Sequence, residues 1–267
     1  MLIAITRKVS PAIGRCELTH LSREVIDLER ADLQHRSYEM LLVEAGCDIV
    51  RLPAEPDLPD SVFVEDTAVV LDELAVMTRP GAESRRGEIS SVAGVLGAHR
   101  PLAYIEAPGT LDGGDVLQVN RQLFVGEGHR SNSEGVAQLR RLLGEYDYEV
   151  IGVPFSGCLH LKSAVTRIAD RTILVNPEWV DKARFSHFEC VEVHPSEPAA
   201  GNGLEIGGRL IYPLAFARTA RILRERNIEV CSVDMLEFAK AEGGVSCCSL
   251  ILSRGSQRAR LPEPLMS

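Results

Sequence analysis

One pattern, repeated five times, constrains the fold of this chain of 267 residues more than any other feature. Five short β-prone segments end in Pro or Asp, and each follows a stretch with the apolar spacing of a helix. The predicted strands are 48–53, 103–108, 149–154, 189–195 and 228–234. The predicted helices before them are 23–45, 83–97, 133–144, 177–188 and 216–226. This alternation predicts an α/β fold made from one repeated unit.

A β-hairpin is predicted after the loop that follows four of the five strands. The hairpins pair residues 61–70 with 74–78, 115–119 with 122–126, 161–168 with 172–176, and 203–206 with 209–212. Turn sequences such as Asn120-Arg121 and Gly207-Gly208 suit tight connections between antiparallel strands. After the fifth strand only one further strand is predicted, at 246–253, and the N-terminal strand 2–6 has no hairpin partner.

Pairing of these two terminal strands would complete the fifth repeat. The chain then consists of five ββαβ units arranged in a ring, and closure of the ring removes exposed sheet edges. We therefore predict a five-bladed α/β propeller that forms a single domain spanning residues 1–267. Residues 255–267 are polar and are predicted to form a frayed tail.

Chemically capable side chains occupy the same phase of all five repeats, where each hairpin begins. They are Asp66, Asp112, His160, Asn202 and Cys247. A fivefold ring would aim these side chains at one place, its axis. The alternative interpretation of Cys247 is a cysteine buried in a core strand, which is common for free cysteines. The shared phase favours a functional Cys247.

These residue types fit nucleophilic catalysis on a cation. A cysteine thiolate is a nucleophile, a histidine serves as general acid and base near neutral pH, and an aspartate orients the imidazole. Glu65 and Asp66 would repel a carboxylate but would hold a cationic group, which in turn would stabilise the thiolate of Cys247. Cys248 is assigned to packing, because neighbouring residues of a strand point to opposite faces.

Composition narrows the class of protein further. A formal net charge of −9, without a basic stripe, argues against nucleic acid as a partner. No apolar run approaches the roughly 20 residues of a membrane span, and the N-terminus does not resemble a signal peptide. Seven scattered cysteines without CxxC spacing predict a cytoplasmic protein with no disulfide framework and no structural zinc site made of cysteines. Whether zinc binds Cys247 and His160 as an inhibitor stays open. Whether the protein is a homodimer stays open.

Five motifs in order resemble the dimethylarginine dimethylaminohydrolase family of the pentein superfamily. They are FVEDTAVV at 63–70, TRPGA at 78–82, LDGGDVL at 111–117, LHLKS at 159–163 and SCCS at 246–249. The resemblance implies a five-bladed propeller of ββαβ units. It also implies hydrolysis of asymmetric dimethylarginine or monomethylarginine to citrulline plus dimethylamine or methylamine, without a cofactor or a metal.

The resemblance also implies roles for particular residues. Cys247 corresponds to a nucleophile that forms a covalent thiouronium intermediate, His160 to the general acid and base, and Asp112 to the third member of the triad. The implied substrate-binding residues surround the guanidinium, the α-amino group, the α-carboxylate and a mobile loop. They are Asp66 and Glu65 at the guanidinium, Asp60 at the amino group, Arg85 and Arg130 at the carboxylate, Leu18 in the loop, and Ala241.

Two alternatives stay open at this point. The first is an arginine or agmatine deiminase. Arginine deiminases resemble the same pattern but carry an Asp two residues after the catalytic His, where this chain has Lys162. One acid fewer suits a methylated nitrogen, and agmatine has no carboxylate for the two arginines to bind. A non-catalytic protein of the superfamily, such as its ribosome anti-association factor, is disfavoured by the complete set of Cys247, His160 and Asp112.

Overall fold

The computed structural model describes residues 1–254, and its strands follow the predicted repeat closely. The strands are β1 (Leu2–Arg7), β2 (Cys47–Leu52), β3 (Ala68–Val70), β4 (Ala75–Met77), β5 (Leu102–Tyr104), β6 (Val116–Val119), β7 (Gln122–Glu127), β8 (Glu149–Pro154), β9 (Val165–Ala169), β10 (Thr172–Val175), β11 (Glu189–Glu192), β12 (Leu204–Ile206), β13 (Arg209–Pro213), β14 (Glu229–Val233) and β15 (Leu250–Ser253). The predicted tail at 255–267 lies outside the described residues.

These strands form five sheets of three strands each within the described residues. Their strand orders are β3-β4-β5, β6-β7-β8, β9-β10-β11, β12-β13-β14 and β15-β1-β2. In each sheet the middle strand is antiparallel to one neighbour and parallel to the other. The predicted pairing of the chain ends is confirmed, since β1 lies antiparallel to β15 with Ile5 opposite Leu250.

Most helices lie where the sequence predicts them, and their ends differ. The α-helices are α1 (Leu28–Glu44), α2 (Ile89–Leu96), α3 (Ser133–Leu143), α4 (Leu161–Ala164), α5 (Ala217–Glu225) and α6 (Leu236–Ala239). The first helix begins five residues later than predicted, because Asp27 caps it by accepting a hydrogen bond from the Arg30 amide. None of the helices in the described part of the chain is long and apolar enough to cross a bilayer.

The predicted helix 177–188 is wrong. This segment contains only a 3-10 helix at Lys182–Phe185. The backbone before it is used elsewhere: the carbonyl of Trp179 accepts a hydrogen bond from the Ser156 amide, and Val180 forms a β-bridge with Phe155. A residue whose backbone bonds to a neighbouring segment cannot also take part in a helical ladder. In the second repeat, likewise, residues Glu83–Glu88 form a 3-10 helix and only the later part is α-helical.

A second difference concerns the loops that carry the candidate site. Three predicted strands, 61–70, 161–168 and 246–253, instead begin with a helical turn before the strand. These turns are the 3-10 helices Val64–Thr67 and Ser246–Cys248 and the short helix α4. A similar turn, Gly113–Asp115, precedes β6. Asp66 and Cys247 therefore lie on short helical turns, and Asp112 and His160 lie directly before one.

The apolar core lies between the sheets and the helices that cover them. Helix α3 shows how the sequence produces this packing: Asn132 caps it, and Val136, Leu139 and Leu143 form a stripe at helical spacing. That stripe is buried against the side chains of β7 and β8. Burying each such side chain contributes about 1.5–3 kcal/mol to folding.

Tyr38 connects helix α1 to the strand that follows the candidate nucleophile. Its side chain is fully buried, and its hydroxyl lies 2.7 Å from the Ser249 hydroxyl. Tyr38→Phe should lower the free energy of unfolding by about 1–3 kcal/mol, because a buried hydroxyl loses its partner. Urea denaturation measures this change. The matched substitution Tyr104→Phe, at a side chain that is 49% exposed, should leave the stability unchanged. Equal stability of the two variants would contradict the expected contribution of the hydroxyl pair.

Candidate active site

Residues from widely separated repeats line one small cavity of about 10 Å³ at the end of the sheets. Among the predicted site residues, the cavity wall includes Asp60, Asp66, Arg85, Arg130, His160, Ala241 and Cys247. Three others lie elsewhere. Asp112 is buried behind His160, Glu65 faces a separate cavity, and Leu18 packs against the apolar core.

His160 lies between two carboxylates. Its Nε2 donates to Asp112 Oδ2 at 3.0 Å, and its Nδ1 is 3.8 Å from Asp66 Oδ1. Burial alone would lower the pKa of His160, but the charge of Asp66 and the hydrogen bond to Asp112 outweigh it and raise the pKa to about 9. The imidazole is therefore protonated at neutral pH in the unliganded protein.

Asp112 is held in place from several directions. Its Oδ1 accepts from the Gly81 amide at 2.9 Å, and its own amide donates to the Ser131 hydroxyl at 3.0 Å. The two residues after Asp112 must be glycines, because other groups of the protein approach their Cα atoms closely. A Cβ on Gly114 would lie 2.7 Å from His160 Nδ1, and a Cβ on Gly113 would collide with the carbonyl of Glu65. This turn thus brings the Asp112 carboxylate against the imidazole.

Cys247 lies in the 3-10 helix Ser246–Cys248, and its Sγ accepts a hydrogen bond from the Gly244 amide at 3.3 Å. Burial, with the negative charges of Glu65 and Asp66, raises the pKa of the Cys247 thiol to about 12. Cys248 is fully buried in the apolar core, as predicted for a packing residue. The reason given from strand alternation is wrong, because both cysteines lie on one helical turn.

Asn202 braces the turn that carries the nucleophile. Its Oδ1 accepts from the Ser246 amide at 3.1 Å, and its Nδ2 donates to the Ser246 hydroxyl at 2.9 Å. The same Nδ2 donates to the carbonyl of Lys162 at 3.0 Å. Its side chain is therefore satisfied by the protein, and it positions the Cys247 turn.

The two neighbouring acids Glu65 and Asp66 have different environments. Glu65 accepts from Lys162 Nζ at 2.6 Å and from the Ser246 hydroxyl at 2.8 Å. Asp66 accepts from the Gly114 amide at 2.8 Å and from Arg85 Nη1 at 2.5 Å. Burial would raise the pKa of Asp66, but the charges of His160 and Arg85 outweigh it and hold the pKa well below its usual range.

Arg85 and Arg130 are engaged to different extents. The buried Arg85 guanidinium contacts Asp66 and also donates to Glu88, with Nη2 2.8 Å from Oε2. Arg130 makes a longer contact of 3.5 Å with Asp112 Oδ2. Asp60 accepts from the Glu17 amide at 3.1 Å, and burial, partly offset by Arg85, raises the pKa of its carboxyl group.

Sequence reasoning missed Glu88 and Ser246, and it left open whether Asp115 braces the glycine loop or takes part in the site. Glu88 binds Arg85, and its spacing of three residues on a helical segment was a usable signal. Ser246 connects Glu65 to Asn202, and its position directly before Cys247 was the only hint. Asp115 accepts from the Ser131 hydroxyl and the Leu161 amide, and burial raises its pKa to about 6. It braces the turns of Asp112 and His160.

Asp66, Asp112 and His160 offer ligand atoms that all lie within 4.8 Å of one another, which is close enough for a metal ion. However, Asp66 already contacts the Arg85 guanidinium, and Asp112 lies near Arg130. The protonated imidazole of His160 also offers no lone pair to a metal ion at neutral pH. The sequence-based expectation of no metal stays a prediction.

Comparison with known proteins identifies the group to which this arrangement belongs. No family model matches the chain. The chain is 39% identical to the N(G),N(G)-dimethylarginine dimethylaminohydrolase of Streptomyces coelicolor, with 93% of this chain and 96% of that protein covered. It is 35% identical to the Pseudomonas aeruginosa protein of the same name, over 87% of this chain and 91% of that one.

Solved structures agree with these relatives. A mutant of the Pseudomonas aeruginosa enzyme in complex with citrulline has a TM-score of 0.89 and 33% identity, covering 93% of this chain and 98% of that one. The N-terminal domain of ArgZ, a cyanobacterial arginine dihydrolase, shares the fold with a TM-score of 0.83 at 18% identity, covering 96% of this chain and 99% of that chain. The fold and the grouped cysteine, histidine and aspartate define an α/β protein of the pentein superfamily. Within it, the chain belongs to the dimethylarginine dimethylaminohydrolase family.

The raised pKa of His160 predicts a pH-dependent stability. A group whose pKa is raised by folding stabilises the protein fully below its unfolded pKa, here near 6.5, and this stabilisation is lost as the pH rises through about 9. The free energy of unfolding should therefore fall between these values by on the order of 3 kcal/mol more in the wild type than in His160→Gln. Urea denaturation across this range measures the difference. Parallel pH profiles of the two proteins would show that the imidazole is not held protonated.

Proposed function

We propose that this protein hydrolyses arginines methylated on the guanidino group to citrulline, releasing dimethylamine or methylamine. One observation carries the proposal. A single cavity brings together the Cys247 thiol, the His160 imidazole and the Asp66 carboxylate. Asp112 is hydrogen-bonded to His160 and is itself held by the Gly81 amide at 2.9 Å. This combination holds a planar cation against a nucleophile and a proton donor. The citrulline bound by a mutant of the Pseudomonas aeruginosa relative supports the same product.

The electrostatics of the unliganded site account for its selectivity for a cation. The pKa of Cys247, raised to about 12 by burial and by Glu65 and Asp66, keeps the sulfur protonated and unreactive at neutral pH. A guanidinium bound between these acids and Cys247 adds a positive charge beside the sulfur. That charge lowers the pKa of the thiol, so that the thiol proton leaves to solvent and the thiolate forms next to its target.

Catalysis then proceeds in two steps. The Cys247 thiolate attacks the guanidinium carbon, and the methylated amine leaves as its C–N bond breaks and it takes a proton from His160. The product is a covalent thiouronium on Cys247. Neutral His160 next accepts a proton from a water molecule, the water oxygen bonds to the same carbon, and the C–S bond breaks. The sulfur takes up the proton released as the new hydroxyl becomes the carbonyl of citrulline, so citrulline leaves and Cys247 returns to the thiol.

The remaining site residues bind the substrate in this proposal. Asp66 contacts the guanidinium and Asp60 the α-amino group, and Ala241 forms part of the cavity wall. Glu65 acts on the bound cation through its charge, and Leu18 contacts the substrate once the loop that carries it moves. Arg130 contacts the α-carboxylate, a role supported by its place in the cavity wall and its long contact with Asp112. Arg85 faces the same cavity and assists, although Asp66 and Glu88 already engage its guanidinium.

Lys162 favours methylated substrates over arginine itself. Arginine deiminases resemble this site but have an acid at this place, whereas Lys162 neutralises Glu65 through a contact of 2.6 Å. The guanidinium therefore meets less negative charge here. A methylated nitrogen, which has fewer N–H donors, loses less from that difference.

We also propose that the five sheets form the blades of one closed propeller and that residues 1–267 are a single domain. A cavity of about 190 Å³ supports this arrangement, because residues of β3, β6, β9, β12 and β15 all line it. In the proposed arrangement, one strand from every sheet faces a common axis. The proposal includes a cytoplasmic location, supported by seven cysteines that are all unpaired within residues 1–254.

Cys247→Ser tests the nucleophile. We expect the rate of citrulline formation from dimethylarginine to fall by on the order of a thousandfold or more, because a serine hydroxyl here has no base to activate it. The control is Cys248→Ala, which removes a core thiol and should keep the chemistry while lowering stability. If Cys247→Ser stayed active and Cys248→Ala did not, the two cysteines would have been assigned in the wrong order.

Arg130→Gln tests recognition of the α-carboxylate. The KM for monomethylarginine should rise about tenfold to a hundredfold, because a charge-assisted hydrogen bond far from the reacting carbon is lost. The KM for methylagmatine, which lacks a carboxylate, should stay nearly constant in the same variant. A citrulline or carbamoylputrescine assay with both substrates measures the ratio. Equal losses for both substrates would place Arg130 in another role. Arg85 is a poorer test, since its removal leaves Asp66 and Glu88 without their buried partner.

A further inference from the structure

The loop before helix α1 is attached to the rest of the protein by two carboxylates, one on each side of Leu18. On one side, the Glu17 amide donates to Asp60 at 3.1 Å. On the other side, the amides of three successive residues, Thr19, His20 and Leu21, all donate to the carboxylate of Glu242. Leu18, predicted to contact the substrate, is thereby fixed between the two attachments.

Glu242 is built into the wall of the catalytic cavity. It lies between Ala241 and Gly243 in the same wall as Cys247, five residues before the nucleophile. Its backbone has a positive φ of 58°, an uncommon conformation for a residue with a side chain. Its carboxylate is 3.1 Å from the Thr19 amide and 2.6 Å from each of the next two amides. One side chain therefore connects the loop to the segment that carries the nucleophile.

The loop must release for a substrate to reach Cys247. In this closed arrangement the catalytic cavity measures about 10 Å³. Sites for small molecules commonly measure about 300–1,000 Å³, so an amino acid has no room until the walls move. Glu17 and Glu242 are both cavity-wall residues, and each takes part in one of the two attachments of the loop. Because Glu17 belongs to the loop, release of the loop would remove one side of the cavity wall.

We propose that Glu242 is the latch of this loop: its carboxylate holds the loop closed, and release of that carboxylate admits the substrate. This inference rests on the proposed function only for the identity of the substrate. A carboxylate suits the task because all its hydrogen-bonding positions are acceptors, and three amide N–H groups point at it. All three amides donate to Oε1, and the Thr19 amide also donates to Oε2. A glutamine therefore keeps a neutral acceptor at the Oε1 position, but it loses the negative charge and places an NH₂ group where Oε2 accepts from Thr19. Glu242 is a positioning residue, since it acts on the substrate through the loop and Leu18.

Amide hydrogen exchange of the unliganded protein tests the latch directly. In Glu242→Gln, exchange of the Thr19, His20 and Leu21 amides should accelerate about tenfold, because their hydrogen bonds to Glu242 lose the negative charge that strengthens them. Exchange in β7 and α3 should not change, which would show that the protein is still folded. The matched control is Glu24→Gln, an exposed glutamate near the same loop, and it should leave the three amides as in the wild type. Unchanged exchange in Glu242→Gln would overturn the proposal.

Labelling of Cys247 by iodoacetamide reports whether the latch controls access. Peptide mass spectrometry should show labelling about tenfold faster in Glu242→Gln, relative to the partly exposed Cys231 in the same molecule. Glu242→Asp separates access from charge, because it keeps the negative charge but reaches fewer amides. Faster labelling in both variants supports a latch. Faster labelling in Glu242→Gln alone would mean that Glu242 acts through the thiol pKa, and would refute the latch.

Neither measurement involves turnover, so the latch and the proposed function can fail separately. Inactivity of the wild type towards methylarginines would contradict the proposed function while leaving the exchange result valid. Conversely, if the enzyme is active but exchange of the loop amides does not change in Glu242→Gln, the proposed function holds and the latch proposal is wrong.

Discussion

A chain of buried charges of alternating sign is the interaction on which this site depends. It runs from Glu88 to Arg85, Asp66 and His160, and ends at Asp112, and every side chain in it is buried. Removing a charge from water is costly, and the cost is offset only where each charge has an opposite partner in good geometry. Each member therefore requires the others. Because they come from three different repeats, the network forms only when the sheets have assembled correctly.

Neighbouring site residues have different partners because they lie on short helical turns and not on strand ends. On a strand, adjacent side chains point in opposite directions, and one of each pair would enter the core between sheet and helix. On a 3-10 turn, successive side chains are separated by about 120°. Glu65 can then face Lys162 while Asp66 faces His160, and Cys247 can face the cavity while Cys248 fills the core.

The sequence predicts well the features that all five repeats share, and it predicts poorly the features that occur in one repeat alone. The common phase of Asp66, His160 and Cys247 correctly indicates that they meet, because a repeated unit places equivalent positions alike. It does not reveal Glu242, whose partners are backbone amides more than two hundred residues away and therefore leave no side-chain pattern. The predicted helix at 177–188 is absent for the same reason, because the carbonyl of Trp179 accepts a hydrogen bond from the Ser156 amide in another segment of the chain. Long-range backbone contacts are invisible to periodicity.

The protonation states of the unliganded site keep its nucleophile unreactive until the substrate binds. With pKa values near 12 for Cys247 and near 9 for His160, a neutral solution contains a thiol and an imidazolium. The thiol cannot attack, but the imidazolium is already the acid that an amine leaving group needs. Deprotonation of the thiol requires one more positive charge beside the sulfur, and a bound guanidinium supplies that charge. Recognition and activation of the nucleophile are then a single electrostatic event, so a neutral molecule that enters the cavity meets an inert cysteine.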